Sequence, residues 1–154
     1  MFPPLPKGLD EAQRVQGINT WETTKGPEGR KRSIYVFQRR SLNLPLLETF
    51  DAPVFNSSCD RRRMSITALQ ALAMYDGEFV NSEAEYFADR VRKESGGDQV
   101  QQIRLAFQTA LGRDPSAAEV RQAQAFCQSM GSQERALQGL CRVLLNSNEF
   151  VYVD

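Results

Sequence analysis

Three clusters of basic residues have the side chains and spacing best suited to bind a ligand. The clusters are Arg30-Lys31-Arg32, Arg39-Arg40 and Arg61-Arg62-Arg63. Because a guanidinium group can donate two parallel hydrogen bonds to one carboxylate or phosphate, they indicate a site for an anionic ligand or an anionic glycan. The residues of this hypothetical site are Arg32, Arg39, Arg40, Arg61 and Arg62. The alternative is that these arginines form ion pairs with acidic side chains of the same chain.

The absence of histidine excludes several kinds of chemistry. Ser-His-Asp and Cys-His catalysis, histidine-ligated metals and a Cys-x-x-Cys-His haem attachment all require a residue that this sequence of 154 residues lacks. Its 19 basic and 19 acidic residues balance, which argues against a nucleic-acid partner bound through bulk charge. We therefore expect no catalytic residue, no metal and no cofactor in this chain alone.

The three cysteines give little support to a reactive site. No two of them have the Cys-x-x-Cys spacing of zinc and redox motifs. Cys127 and Cys141 lie among apolar residues at helical spacing, so we predict buried thiols, with a disulfide between them as the alternative. Cys59 lies in a polar loop and has no histidine to act as its base.

Helical patterns dominate the rest of the sequence. Residues 1–32 are rich in proline and glycine and predict an extended arm, and residues 33–64 predict a linking segment with a strand at 33–38 and a short helix at 44–50. Residues 65–154 predict a bundle of four to five helices. The fold class is therefore mainly α, as one domain or as the C-terminal part of a larger one. No apolar run is long enough to insert into a membrane, and the N-terminus does not have the pattern of a signal peptide.

Local signals set the limits of the predicted helices. Ser82 with Glu85, and Ser116 with Glu119, have the spacing of capping boxes, and Asp98 and Ser132 are candidate N-caps. Four helices have an apolar face or stripe that should point inward. The residues are Ala84, Phe87, Ala88 and Val91; Val100, Ile103, Phe107, Ala110 and Leu111; Val120, Ala123, Phe126 and Met130; and Leu137, Leu140, Cys141, Leu144 and Leu145.

Two segments and the short motifs between them resemble a known family. The first segment is Arg32-Ser33-Ile34-Tyr35-Val36-Phe37, followed by Arg40-Ser41-Leu42, Leu44-Pro45, Leu47-Glu48, Phe50-Asp51 and Pro53. The second is the run from Leu144 to Asp154, which contains Asn146-Ser147-Asn148-Glu149-Phe150. Between them lie Ser58-Cys59, Arg61-Arg62, Gln70-Ala71-Leu72 and Ala110-Leu111-Gly112-Arg113-Asp114-Pro115. In this order they resemble the C-terminal region of a planctomycete domain of unknown function, named for its occurrence in cytochrome-c-type proteins.

The resemblance implies the kind of protein in which this chain occurs and does not imply an activity. Such proteins are large and exported, which would place them in the periplasm or outside the cell, and they carry a further domain upstream and often a cytochrome-c domain. The family has no established catalytic residues. Our main interpretation is a non-catalytic structural or interaction module, whose partner is an upstream domain of the same protein or a second copy of the chain. The alternatives are the anion- or glycan-binding surface described above, or part of an enzyme whose site is completed by upstream sequence.

Overall fold

The computed structural model describes residues 1–3, 5, 22–38, 44–53 and 65–152. The chain divides into two compact units, Met1–Ile66 and Thr67–Asp154. We describe each unit by itself. In the described ranges the regular structure is helical, which confirms the predicted mainly α fold class.

The described part of the first unit contains short helical elements. Two 3-10 turns span Gly26–Arg30 and Ser33–Tyr35, and helix α1 spans Pro45–Thr49. Pro45 occupies the first turn of α1, where its missing N–H costs no helical hydrogen bond. The short helix predicted at 44–50 is therefore confirmed.

The strand predicted at 33–38 is wrong. Tyr35 N–H donates to the Arg32 carbonyl and Val36 N–H to the Ser33 carbonyl, so the backbone turns instead of extending. Two further backbone groups of this segment bond to Met1. The Met1 amino group donates to the Tyr35 carbonyl at 3.0 Å. The Phe37 N–H donates to the Met1 carbonyl at 2.7 Å. Composition favoured a strand, but no neighbouring strand lies in the described residues, and local hydrogen bonds satisfy the backbone instead.

The second unit is a bundle of helices joined by short loops. Its elements are α2 (Ala68–Asp76), α3 (Glu78–Glu94), α4 (Gln99–Leu111), α5 (Ala117–Ser129), α6 (Gln133–Leu145) and α7 (Asn148–Val151). Helix α6 contacts α3, α4, α5 and α7 and so lies at the centre of the packing. The predicted helical bundle is confirmed. Among the described residues, no helix has the length and apolar character that crossing a membrane requires.

The core forms where α3, α4, α5 and α6 meet. Its largest completely buried side chains are Val91 of α3, Ile103 of α4 and Cys141 of α6. The buried cluster consists of Ala88, Val91, Ile103, Ala106, Phe107, Ala123, Leu137, Leu140, Cys141 and Leu144. Most of the predicted inward residues of α3 and α6 belong to this cluster. Met130, predicted to point inward, is exposed because α5 ends at Ser129 and Met130 is already its C-cap.

Three of the four predicted N-cap residues are N-caps in the structure, and two of them make side-chain capping hydrogen bonds. The Asp98 carboxylate accepts from the Val100 N–H, and Ser116 with Glu119 forms both hydrogen bonds of a capping box. Ser132 is the N-cap residue of α6, but its side chain makes no capping hydrogen bond. The capping box predicted at Ser82 is wrong, because α3 already begins at Glu78 and the Ser82 hydroxyl donates to the Phe79 carbonyl.

The two serines provide a matched test of these assignments. We expect Ser116→Ala to lower the free energy of unfolding by about 1 kcal/mol, because the N–H of Glu119 loses its side-chain acceptor. Ser82→Ala should change it by less than about 0.5 kcal/mol, since this exposed hydroxyl sits inside a helix. Urea denaturation followed by circular dichroism measures both. Equal losses in the two variants would contradict the helix boundaries described here.

Candidate functional site

The predicted anion site falls mostly outside the described residues. Arg39, Arg40, Arg61 and Arg62 lie in ranges that the structure does not describe. Arg32 is described and is exposed, immediately before the second 3-10 turn. Its neighbour Lys31 forms an ion pair with Glu28. The grouping of these arginines into one site therefore stays a prediction.

The most extensive polar cluster of the described residues is centred on Arg113. Arg113 Nε donates to Glu149 Oε1 at 2.6 Å, and its Nη2 donates to Glu149 Oε2 at 2.8 Å. Nη1 and Nη2 donate to the two oxygens of Glu119 at 3.1 and 2.8 Å. Nη1 also donates to the Asp114 carbonyl at 3.2 Å. The guanidinium thus holds two carboxylates, each through two hydrogen bonds; we call Arg113, Glu119 and Glu149 the Arg113 clamp.

Each residue of the Arg113 clamp is positioned by a local turn or cap. Arg113 follows Gly112, which ends α4 in the left-handed conformation with φ of 70°. Glu119 is held by the capping box of α5, in which its Oε2 also accepts from the Ser116 N–H at 2.7 Å. Glu149 lies in the first turn of α7, whose N-cap Ser147 accepts from the Phe150 N–H. The Arg113 clamp therefore joins the loop between α4 and α5 to the C-terminal helix.

The charges of the Arg113 clamp stabilise one another. Hydrogen bonds from Arg113, and then from Ser116, lower the pKa of Glu119 from 4.5 to about 2. Hydrogen bonds from Arg113 also lower the pKa of Glu149. In turn, the hydrogen bonds to Glu149 and Glu119 raise the pKa of Arg113. All three side chains are therefore charged at neutral pH.

The chemistry of the Arg113 clamp is structural. The five N–H donors of a guanidinium are all used here, by Glu149, Glu119 and the Asp114 carbonyl. No donor of Arg113 is left to bind a ligand, and both carboxylates are held as charged acceptors. The motifs around Arg113 and Glu149 are visible in the sequence. Their pairing across 36 positions is not, because no local pattern relates them.

A second polar contact fixes α2 to the bundle. The Arg142 guanidinium of α6 lies 4.9 Å from the centroid of the Tyr75 ring. Its Nη2 also donates to the Tyr75 carbonyl, at the last turn of α2. Since a helix C-terminus carries partial negative charge, a guanidinium is favourable there. This contact holds α2 in a defined orientation on the bundle.

The two described cysteines are free thiols, so the alternative of a Cys127–Cys141 disulfide is wrong. Cys141 is buried, as predicted, and Cys127 is half-buried. Burial raises the pKa of both thiols, that of Cys141 to about 12, with a further contribution from Cys127. Such thiols are protonated at neutral pH and react slowly. In the ranges that the structure describes, no group of three or more cysteine or acidic residues is arranged to hold a metal ion.

Comparison with known proteins gives one family. A model of the family PSD1, described as a protein of unknown function (DUF1553), matches residues 5–127. No curated protein matches the chain. No solved structure matches it either. The matched range covers most of the chain and includes Arg113 and Glu119. The chain therefore belongs to the PSD1 family of proteins of unknown function.

Proposed function

We propose that this chain is a non-catalytic helical module that binds another part of a larger exported protein through the apolar side of α2. Membership of the PSD1 family is compatible with this role and assigns no reaction. The observation that carries the proposal is a row of exposed apolar side chains on a helix that is otherwise firmly held.

The row consists of Leu69, Leu72 and Tyr75 on α2 and Phe79 in the first turn of α3, and we call it the α2 stripe. All four side chains are exposed; Leu72, for example, is 58% exposed. Residues three positions apart lie on the same side of a helix, so the three members on α2 form one surface. A contiguous apolar surface of this kind is typical of protein interaction sites.

A helix that packs only on its own bundle is expected to bury its leucines, whereas α2 exposes them. The one buried residue of α2 is polar: Gln70, whose side chain forms the capping box with Thr67. The leucines of the same helix face outward. Because burying a leucine side chain stabilises a protein by about 1.5–3 kcal/mol, this arrangement favours a partner that covers the α2 stripe.

The chemistry of the α2 stripe indicates an apolar partner surface. Residues 65–75 contain no charged side chain. The capping box at one end of α2 and Arg142 at the other hold the α2 stripe in place, so little ordering entropy is lost on binding. We assign the partner surface to upstream sequence of the same protein, because the motifs described above resemble the C-terminal region of a larger domain.

The same resemblance supports the wider context of the proposal. We propose that the complete protein is a planctomycete-type exported protein that carries a cytochrome-c domain. The reading frame upstream of Met1 tests this directly. A signal peptide and a Cys-x-x-Cys-His motif there would support the assignment, and a frame without either would contradict it.

Hydrogen exchange tests the role of the α2 stripe. We expect the amides of residues 69–76 to exchange more slowly in the full-length protein than in the 154-residue chain, because the upstream sequence covers α2. Leu72→Ser in the full-length protein should remove most of this difference. The matched control is Val143→Ser, which changes an aliphatic side chain exposed to a similar extent on α6.

Two outcomes would contradict this assignment. If the α2 amides exchange at the same rate in both proteins, the upstream sequence does not cover them. If the isolated chain forms a dimer in light scattering that Leu72→Ser dissociates, the partner is a second copy of the chain.

A further inference from the structure

A cleft between α3, α4 and α6 has the features of a ligand-binding site. It has a volume of about 450 Å³ and is lined by Arg92, Gly97, Gln102, Gln133, Glu134 and Leu137. We propose that this cleft binds a small oxyanion, a carboxylate or a phosphate group, between the Arg92 guanidinium, the Gln102 carboxamide and the N-terminus of α6. The site is separate from the α2 stripe and from the Arg113 clamp.

Gln102 is the first observation that supports the proposal. Its side chain is 4% exposed, and it lines the cleft. No hydrogen bond of its carboxamide is present among the residues that the structure describes. Among the described residues, Ser95 Oγ is the one fully buried side-chain polar atom without a hydrogen-bond partner, so solvent in the cleft reaches the Gln102 carboxamide and a ligand can replace that solvent. The carboxamide NH₂ can donate two hydrogen bonds to an oxyanion in the cleft.

The N-terminus of α6 is the second observation. Gln133 and Glu134, the first two residues of α6, both line the cleft. The N-cap Ser132 makes no side-chain capping hydrogen bond, so the first N–H groups of this 13-residue helix are not satisfied by their cap. Unsatisfied N–H groups and the positive end of the helix dipole favour an anion at this position.

Arg92 supplies the positive charge, and its contacts mark where an oxyanion oxygen can lie. Its Nη1 is 3.0 Å from Asp89 Oδ1 and 3.5 Å from Glu134 Oε1. The Glu134 side chain is 74% exposed, so it can leave the guanidinium at little cost. We infer that the Glu134 carboxylate occupies the position of one ligand oxygen and competes with the ligand for Arg92.

The remaining lining residues suit a small ligand. Gly97 has no side chain to obstruct the cleft, and its φ of 95° disfavours other residues at this position. Leu137 is buried and forms an apolar wall beside the polar groups. A ligand with one anionic group and a short carbon skeleton matches this lining.

Calorimetric titration of the full chain with inorganic phosphate and with succinate tests the proposal. We expect saturable binding of at least one of the two, and the tighter one identifies the ligand as a phosphate or a carboxylate. Gln102→Leu and Arg92→Gln should each weaken binding about tenfold or more, because each removes a donor to a charged acceptor. Gln101→Leu, an exposed neighbour on α4, is the matched control and should bind like the parent chain.

Glu134→Gln gives the most specific result. Removing the competing charge should tighten binding of the same probe about threefold to tenfold. The affinity of nonspecific binding elsewhere on the surface would not change. Melting temperatures confirm that each variant is folded, and Leu72→Ser should leave binding unchanged because the α2 stripe is a separate site. The proposal is overturned if neither probe binds, or if Gln102→Leu and Glu134→Gln both bind like the parent chain.

Discussion

Leu140→Ala should lower the free energy of unfolding by about 2–5 kcal/mol, because it leaves a cavity in the core of the bundle. Leu140 is 5% exposed and lies on α6, the helix that contacts four others. The substitution removes the Cγ methine and both methyl groups of a side chain that belongs to the buried cluster. Urea denaturation followed by circular dichroism measures the change.

Val143→Ala on the same helix is the matched control. Val143 is 56% exposed, so its truncation removes little packing and should change stability by less than about 0.5 kcal/mol. If both variants lose the same free energy, or if neither does, the face of α6 described here is not the one that packs into the core.

Arg113→Ala should destabilise the bundle at neutral pH and remove most of its acid sensitivity between about pH 4.5 and pH 2. The Arg113 clamp lowers the pKa of Glu119 from 4.5 to about 2, and it also lowers that of Glu149. A carboxyl whose pKa is lower in the folded state stabilises that state above its ordinary pKa. This contribution is lost as the pH falls through the folded value.

The melting temperatures of the parent chain and of Arg113→Ala should therefore differ most at neutral pH and converge as the pH approaches 2. The amides of Phe150 and Tyr152 should also exchange faster in the variant, because α7 loses its tie to the loop before α5. Arg121→Ala, an exposed arginine on α5, is the control and should keep the pH dependence of the parent. Parallel melting curves for the parent and Arg113→Ala would show that the Arg113 clamp does not stabilise the fold.

Much of the bundle is determined by the sequence alone. The limits of α4 and α5 follow from residues next to the helix ends: Asp98 before one, Gly112 after it, and Ser116 with Glu119 at the start of the next. These signals act over three or four positions, so they work in any tertiary context. The inward faces of α3 and α6 are also apparent, because a helix that buries one side repeats apolar residues at intervals of three and four.

The sequence was less informative where two local patterns competed. Ser82 with Glu85 has the spacing of a capping box, but it lies inside α3, since Val80 and Ala84 together with Ala88 continue one buried face. The segment at 33–38 has the composition of a strand, but it contains a 3-10 turn, and its Tyr35 carbonyl and Phe37 N–H bond to Met1. In both cases contacts with the rest of the molecule outweighed a local preference.

The groupings of polar side chains were decided by tertiary structure. Arg113 and Glu149 lie in separate motifs, and only the packing of α7 beside the turn after α4 brings them into hydrogen-bond distance. Likewise, no pattern in the sequence shows that Gln102 is buried beside Arg92 and the start of α6. Such groupings depend on how helices pack, which is set by the fit of many side chains across the core and not by any run of neighbouring residues.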